Sequence, residues 1–185
     1  MEPSSYTVYS TSKQSEEPLT LRVQRLLGAG GGLILIVGGR VYSRVSLVKT
    51  LINEARLIAL YASTYGFPLQ GVKHEALESL YVKRLKPSAS ELEELVQALP
   101  DMASRLNVKL LILDSPIATT YALLEAVEGR VIAKNRINTL ASVLHALTKR
   151  LKLVAVITMP IGSNALNVLL RYGDEVLRLN EDRLK

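Results

Sequence analysis

Four nearly uninterrupted apolar runs punctuate this chain, at Leu33 to Val37, Leu57 to Tyr61, Val108 to Leu113 and Leu153 to Ile157. A strand with one wet face alternates apolar and polar residues. Runs that do not alternate predict strands buried on both faces, as in parallel sheets covered by helices. The segments between the runs are long enough for helical crossovers, so the pattern predicts an α/β fold with a mainly parallel sheet flanked by helices. Leu80 to Leu85 predicts an edge strand and Val176 to Leu179 a terminal one.

Helical spacing fills the gaps. Leu92, Leu95, Leu99, Ala103 and Leu106 recur on one face of a helix that Ser90-x-x-Glu93 would open as a capping box, with Pro100 a site for a kink. Ile137, Leu140, Leu144, Leu147 and Leu151 predict a second helix. Leu21, Val23, Leu26 and Leu27 predict a short amphipathic turn, broken by Gly28-Ala29-Gly30-Gly31-Gly32. Residues 1–18, rich in Ser, Thr, Glu and Pro with Tyr6 and Tyr9, have no apolar period and are expected to form a flexible arm before one core domain, 19–185.

Composition narrows the classes. A chain of 185 residues can bury a core without staples, and the absence of cysteine excludes a disulfide framework, Cys-ligated zinc and thiol catalysis. The apolar runs fall far short of the roughly 20 residues of a membrane span. No membrane association and a cytoplasmic location are therefore expected. His74 and His145 are too isolated to suggest a metal site or a general base.

The net charge of +6 comes from 23 basic against 17 acidic residues, and its distribution is uneven. Gly129 to Gly173 holds no acid while Arg130, Lys134, Arg136, Lys149, Arg150, Lys152 and Arg171 all fall within it. That makes a polyanion a candidate partner, and a solvated basic face the plain alternative.

Phosphates sit where a strand meets a helix through a glycine turn, because free backbone N–H groups and the helix dipole face the anion together. The turn here is Gly38-Gly39-Arg40-Val41-Tyr42-Ser43-Arg44-Val45-Ser46. Against G-x-x-x-x-G-K-[ST] it keeps Gly38 and replaces the second glycine by Ser43, the lysine by Arg44 and the magnesium-binding hydroxyl by Val45. An ordinary strand-to-helix turn accounts for the same residues. Arg44 is either a phosphate ligand or an exposed arginine on a first helical turn. Val108 to Leu113 then ends in Asp114-Ser115, as a Walker B strand delivers its aspartate.

Together these segments resemble the core ATPase domain of the RecA/RadA recombinases, and most closely the small archaeal RadA paralogs of the RadB type. The likeness covers about Leu21 to Leu179, and Asn107 to Ser115 is its most specific segment. It implies a RecA-like P-loop core. Gly38, Gly39, Ser43, Arg44, Ser46 and Asp114 become the candidate nucleotide site, for ATP or ADP held without efficient hydrolysis. Three departures argue against turnover: the altered glycine turn, a second strand running Leu60-Tyr61-Ala62-Ser63-Thr64 without the family's glutamate, and Thr158-Met159-Pro160 in place of its Thr-Asn-Gln.

The resemblance also implies DNA-binding loops at about Pro116 to Arg136 and Met159 to Tyr172, with Arg130, Lys134, Arg136 and Arg171 as candidate contacts. Tyr121 and Tyr172 are candidates for stacking on bases. The expected function is that of a catalytically degenerate paralog binding single-stranded DNA, a RadA-type recombinase or another paralog, in homologous recombination and repair. A slow ATPase with a modified site and a structural subunit of a paralog complex remain open alternatives. Tyr6-Thr7-Val8-Tyr9 departs from the family's Phe-x-x-Ala polymerisation motif, and no amino-terminal helical domain is recognised, so long filaments are not expected while a homo-oligomer stays open.

Overall fold

The computed structural model describes residues 17–179. Residues 1–16, which hold Tyr6 and Tyr9, lie outside the described residues. The chain runs α1 (Leu19–Gly28), β1 (Gly32–Gly38), α2 (Val41–Ala55), β2 (Ala59–Ser63), α3 (His74–Leu77) and β3 (Leu80–Arg84). It continues through α4 (Ala89–Leu106), β4 (Leu110–Asp114), α5 (Pro116–Glu128), α6 (Arg130–Leu151), β5 (Val154–Met159), α7 (Leu166–Leu169) and β6 (Glu175–Leu179).

All six strands among the described residues are parallel, in the order β3-β2-β4-β5-β1-β6. The four inner strands fall on the four apolar runs, with β2 beginning two residues later than Leu57 and running on to Ser63, and every residue of β1, β2, β4 and β5 is buried. Side chains alternate between two cores. Ile34, Ile36, Ile112 and Val156 pack with α1 and α2 on one face, while Leu33, Leu35, Leu111 and Ile157 pack with α4, α5 and α6 on the other. The result is an α/β fold of three layers, with the edge strands β3 and β6 partly open.

Two local expectations need correction. The capping residue of α4 is Ser88, whose hydroxyl accepts from the Glu91 N–H at 3.3 Å, and not Ser90. The same S-x-x-E spacing simply begins two residues earlier. The segment expected as a loop after β4 is helical, because Pro116 fits the first helical position and Ala, Leu and Glu continue it until Gly129, whose φ of 89° interrupts it. Helix α6 then begins at Arg130 and uses the predicted Ile137, Leu140 and Leu144 on its buried face.

The start of β1 is fastened tightly. A Cβ at Gly31, where φ is 96°, would lie 2.3 Å from the Thr148 carbonyl oxygen and 2.7 Å from that of Leu153, so only glycine lets the chain pass. Lys149 Nζ donates to the Gly31 carbonyl at 2.9 Å and to Asp174 Oδ1 at 2.8 Å, and Asp174 Oδ2 accepts from the Leu33 N–H at 2.8 Å. Burial raises the Asp174 pKa, but the hydrogen bonds from Lys149 and Leu33 outweigh it and hold the carboxyl below its ordinary value.

Among the described residues no helix is long and apolar enough to cross a membrane.

Candidate functional site

The strand order sets the geometry of the carboxyl edge. β5 lies between β1 and β4, so the glycine turn after β1 and Asp114 at the end of β4 flank the end of β5, where Thr158 sits. Ser63, Asp114 and Thr158 are in register across β2, β4 and β5, and all three are buried.

Asp114 is fully enclosed. Tyr61 donates its phenolic hydrogen to Asp114 Oδ2 at 2.7 Å, and the Thr158 hydroxyl donates to Oδ1. Burial, and after it the Asp114 charge, pushes the Tyr61 phenol well above its ordinary pKa, so it stays a donor at all physiological pH values. Tyr65, half-exposed in the loop after β2, is pushed up to about 12 by burial first and then by the same charge. Both oxygens of the aspartate are thus engaged by neutral hydroxyls. Ser115, next in the chain, takes a left-handed φ of 65°, a strained position for a residue with a Cβ, and its buried hydroxyl has no partner.

The turn after β1 is short. Only Gly39 and Arg40 separate strand from helix, and Gly38 and Gly39 have φ values of 92° and 68°. Arg44 lies on the first turn of α2 and is 4% exposed, contrary to the reading of it as an exposed arginine. Its side chain folds back onto the turn, where Nη1 donates to the Gly38 carbonyl at 3.2 Å and to that of Gly39. Its Nε has no partner, and no ion pair reaches it among the described residues. A buried cation without a carboxylate is costly unless something anionic shares the site.

The start of α2 has the same character. Its first backbone hydrogen bond runs from the Arg44 N–H to the Arg40 carbonyl, which leaves the amides of Val41, Tyr42 and Ser43 without intrahelical acceptors. No side chain caps them, and the first turn carries no acidic residue. Three free amides, the dipole of a 15-residue helix and the guanidinium of Arg44 form a setting for one phosphate-sized anion. A hydrolytic metal–triphosphate centre uses further groups, a hydroxyl on the metal and a carboxylate on the attacking water. Val45 is buried without a hydroxyl, Ser46 is exposed on the next turn, and Ser63 supplies no carboxylate for a water. Among the described residues no group of three His, Asp or Glu side chains could hold a metal ion.

Of the residues singled out from the sequence, Gly38, Gly39, Ser43 and Arg44 come together at the turn, Asp114 stands beyond β5, and Ser46 is left outside. Sequence reasoning missed Tyr61 and Thr158 as the groups that bond Asp114. The only available signal for Tyr61 was its place in the strand paired with β4.

The candidate DNA contacts divide differently. Arg130 reaches Glu125 at 3.8 Å, and Arg136 bridges Glu93 at 3.2 Å and Glu128 at 3.4 Å. Lys134 and Arg171 are exposed with no ion pair among the described residues, Lys134 on the second turn of α6 and Arg171 in the turn between α7 and β6. Tyr121 is buried in the core, and Tyr172 donates its hydroxyl to Asn138 at 2.9 Å. Segments that are acid-free in sequence are therefore partly neutralised in space by α4 and α5. No protein-family model matches this chain, and no curated protein sequence matches it either.

Proposed function

We propose that this chain is a RecA-type recombinase paralog that has given up ATP turnover and serves homologous recombination and repair as a binding module for single-stranded DNA and a recombinase partner. One observation carries the reading: an all-parallel sheet ordered β3-β2-β4-β5-β1-β6, with a glycine turn after β1 and a buried acidic strand end on β4, one strand apart. That arrangement supports descent from a nucleotide-binding core, since ligands of open α/β sheets bind beyond the carboxyl ends of the strands. The bonded state of Asp114 and the short turn held by Arg44 support loss of turnover. The anion setting at the start of α2 supports retained binding of one phosphate group, as in a nucleotide that is held and not cleaved.

For DNA the unpaired cations decide the expectation. Lys134 and Arg171 are free to meet phosphates, whereas Arg130 and Arg136 would first have to leave carboxylates. With about two phosphates engaged, log affinity for single strands against log salt slopes near −1.4, from about 0.7 per phosphate. Fluorescence anisotropy with labelled oligo-dT tests this. Lys134→Ala combined with Arg171→Ala should flatten the slope and weaken all sequences alike, with Arg56→Ala and Lys73→Ala as controls. An unchanged isotherm at every salt concentration would remove DNA from the proposal and leave the protein partner.

A further inference from the structure

The last strand is the neighbour of the glycine turn. Leu179, where β6 ends, lies opposite Gly38 in the parallel register, and a Cβ at Gly39 would meet Leu179 Cδ1 at 3.0 Å and Ser43 Cβ at 3.6 Å. Strand β6 therefore brings the chain against the first turn of α2. Two more residues lead from Gly38 to Arg40, the residue before α2, and two more lead from Leu179 to Glu181.

Strand alternation sets the side. Leu177 and Leu179 pack into the core that holds α2, and Val176 packs into the other. The next position of the odd-numbered series belongs to Glu181, with Asp182 after it. Residues 180–185 lie outside the described residues. Two residues of extended chain cover about 7 Å, so Glu181 is within reach of the amides of Val41, Tyr42 and Ser43 that α2 leaves without acceptors.

Charge selects the occupant. Between Glu17 and Glu54 the sequence holds no acidic residue, so Arg40 and Arg44 open α2 without one. Asp114 on β4 is engaged by Tyr61 and Thr158, whereas Glu181 and Asp182 follow directly on the strand that meets the glycine turn. We infer that this acidic segment docks on the start of α2, where the Glu181 carboxylate accepts from the uncapped amides beside the Arg44 guanidinium. The inference rests on the reading of that turn as an anion site, and it adds the regulation of the site. A carboxylate tethered this closely acts at an effective concentration on the order of millimolar, so it competes with phosphate and keeps the site closed until phosphate or a nucleotide displaces it.

The full chain carrying Glu181→Gln with Asp182→Asn tests the inference, since both changes keep side-chain size and remove only charge. Without phosphate, the amide NMR resonances of Val41, Tyr42 and Ser43 should differ between this variant and the parent. Inorganic phosphate at low salt should bind the variant about threefold more tightly or better, as follows when the docked form holds about two-thirds of the parent molecules or more. At saturating phosphate the two proteins should share the same resonances at these amides, because one anion then occupies both. Adding Arg44→Met should abolish the gain. Amides of Val41 to Ser43 that ignore the double substitution would overturn the proposal. Equal phosphate affinities, lost from both proteins with Arg44→Met, would overturn it too and leave the anion site standing. Amides that respond in a variant that binds no phosphate would uphold the docked segment and refute the phosphate reading instead.

Discussion

The two ends of β1 solve the same problem in opposite ways. At each end a long cation reaches back to cap strand carbonyls, Lys149 at Gly31 and Arg44 at Gly38 and Gly39. Lys149 is balanced by Asp174 and stands half in water. Arg44 is buried, lacks a carboxylate and keeps an orphan Nε beside uncapped helix amides. The first end is a closed structural clasp. The second carries uncompensated positive character at the carboxyl edge of the sheet, where an anion would be favoured.

Substitutions at the glycines sharpen this contrast most. Gly31→Ala forces a Cβ into two backbone carbonyls at a positive φ and is expected to cost about 3 kcal/mol, lowering the melting temperature by roughly 6 to 12 °C. Gly39→Ala, at a φ of 68°, meets the Leu179 side chain at 3.0 Å and Ser43 Cβ at 3.6 Å but no backbone carbonyl, and should cost about 1 kcal/mol. Calorimetry on the two variants measures the difference, and equal losses would mean that the two ends are equally rigid.

The cations should respond in different ways. Arg44→Met keeps the apolar stem of the side chain and removes the uncompensated charge, so stability without ligand should hold within about 1 kcal/mol. Inorganic phosphate at about ten times its dissociation constant should stabilise the parent by about 1.4 kcal/mol and Arg44→Met not at all. Equal phosphate stabilisation of both proteins in thermal melts would place the anion elsewhere.

Acid should open the clasp at the other end. The Asp174 pKa is lowered on folding, so its contribution is complete above the unfolded value, about 3.9, and disappears as pH falls through the lower folded value. Asp174→Asn should cost about 1 kcal/mol at pH 7 and nothing at the bottom of that range. A gap between parent and variant that persists in strong acid would mean that the Asp174 charge is not what closes the clasp. The smallest effect is spectroscopic. Tyr65→Phe should remove one phenol titrating at about 12 from the ultraviolet titration, and a loss at about 10 would show Tyr65 neither buried nor beside the Asp114 charge.

Much of the fold was legible because burial on both faces leaves a direct mark, so Leu33 to Val37 and Val108 to Leu113 read as inner strands before any contact was known. Helix starts were less so, since Ser88 and Ser90 both offer S-x-x-E and only the backbone chooses. At the site, the types and order of Gly38, Arg44 and Asp114 were readable, but the direction of the Arg44 side chain was not. That depends on a two-residue turn whose length no composition rule fixes. Tyr61 and Thr158 were hidden for a different reason: they meet Asp114 only through strand register. The pairing of Arg136 with Glu93 likewise joins residues 43 apart in the chain, which is why the acid-free segment looked more basic than its surroundings make it.

The central claim is binding without turnover, and phosphate release by the unmodified protein with ATP, magnesium and single-stranded DNA tests it most directly. With Asp114 closed by Tyr61 and Thr158, no carboxylate at Ser63 and Arg44 in the glycine turn, release should not exceed that of the Asp114→Ala variant. Sustained multiple turnover by the unmodified protein, abolished by Asp114→Ala, would contradict the account.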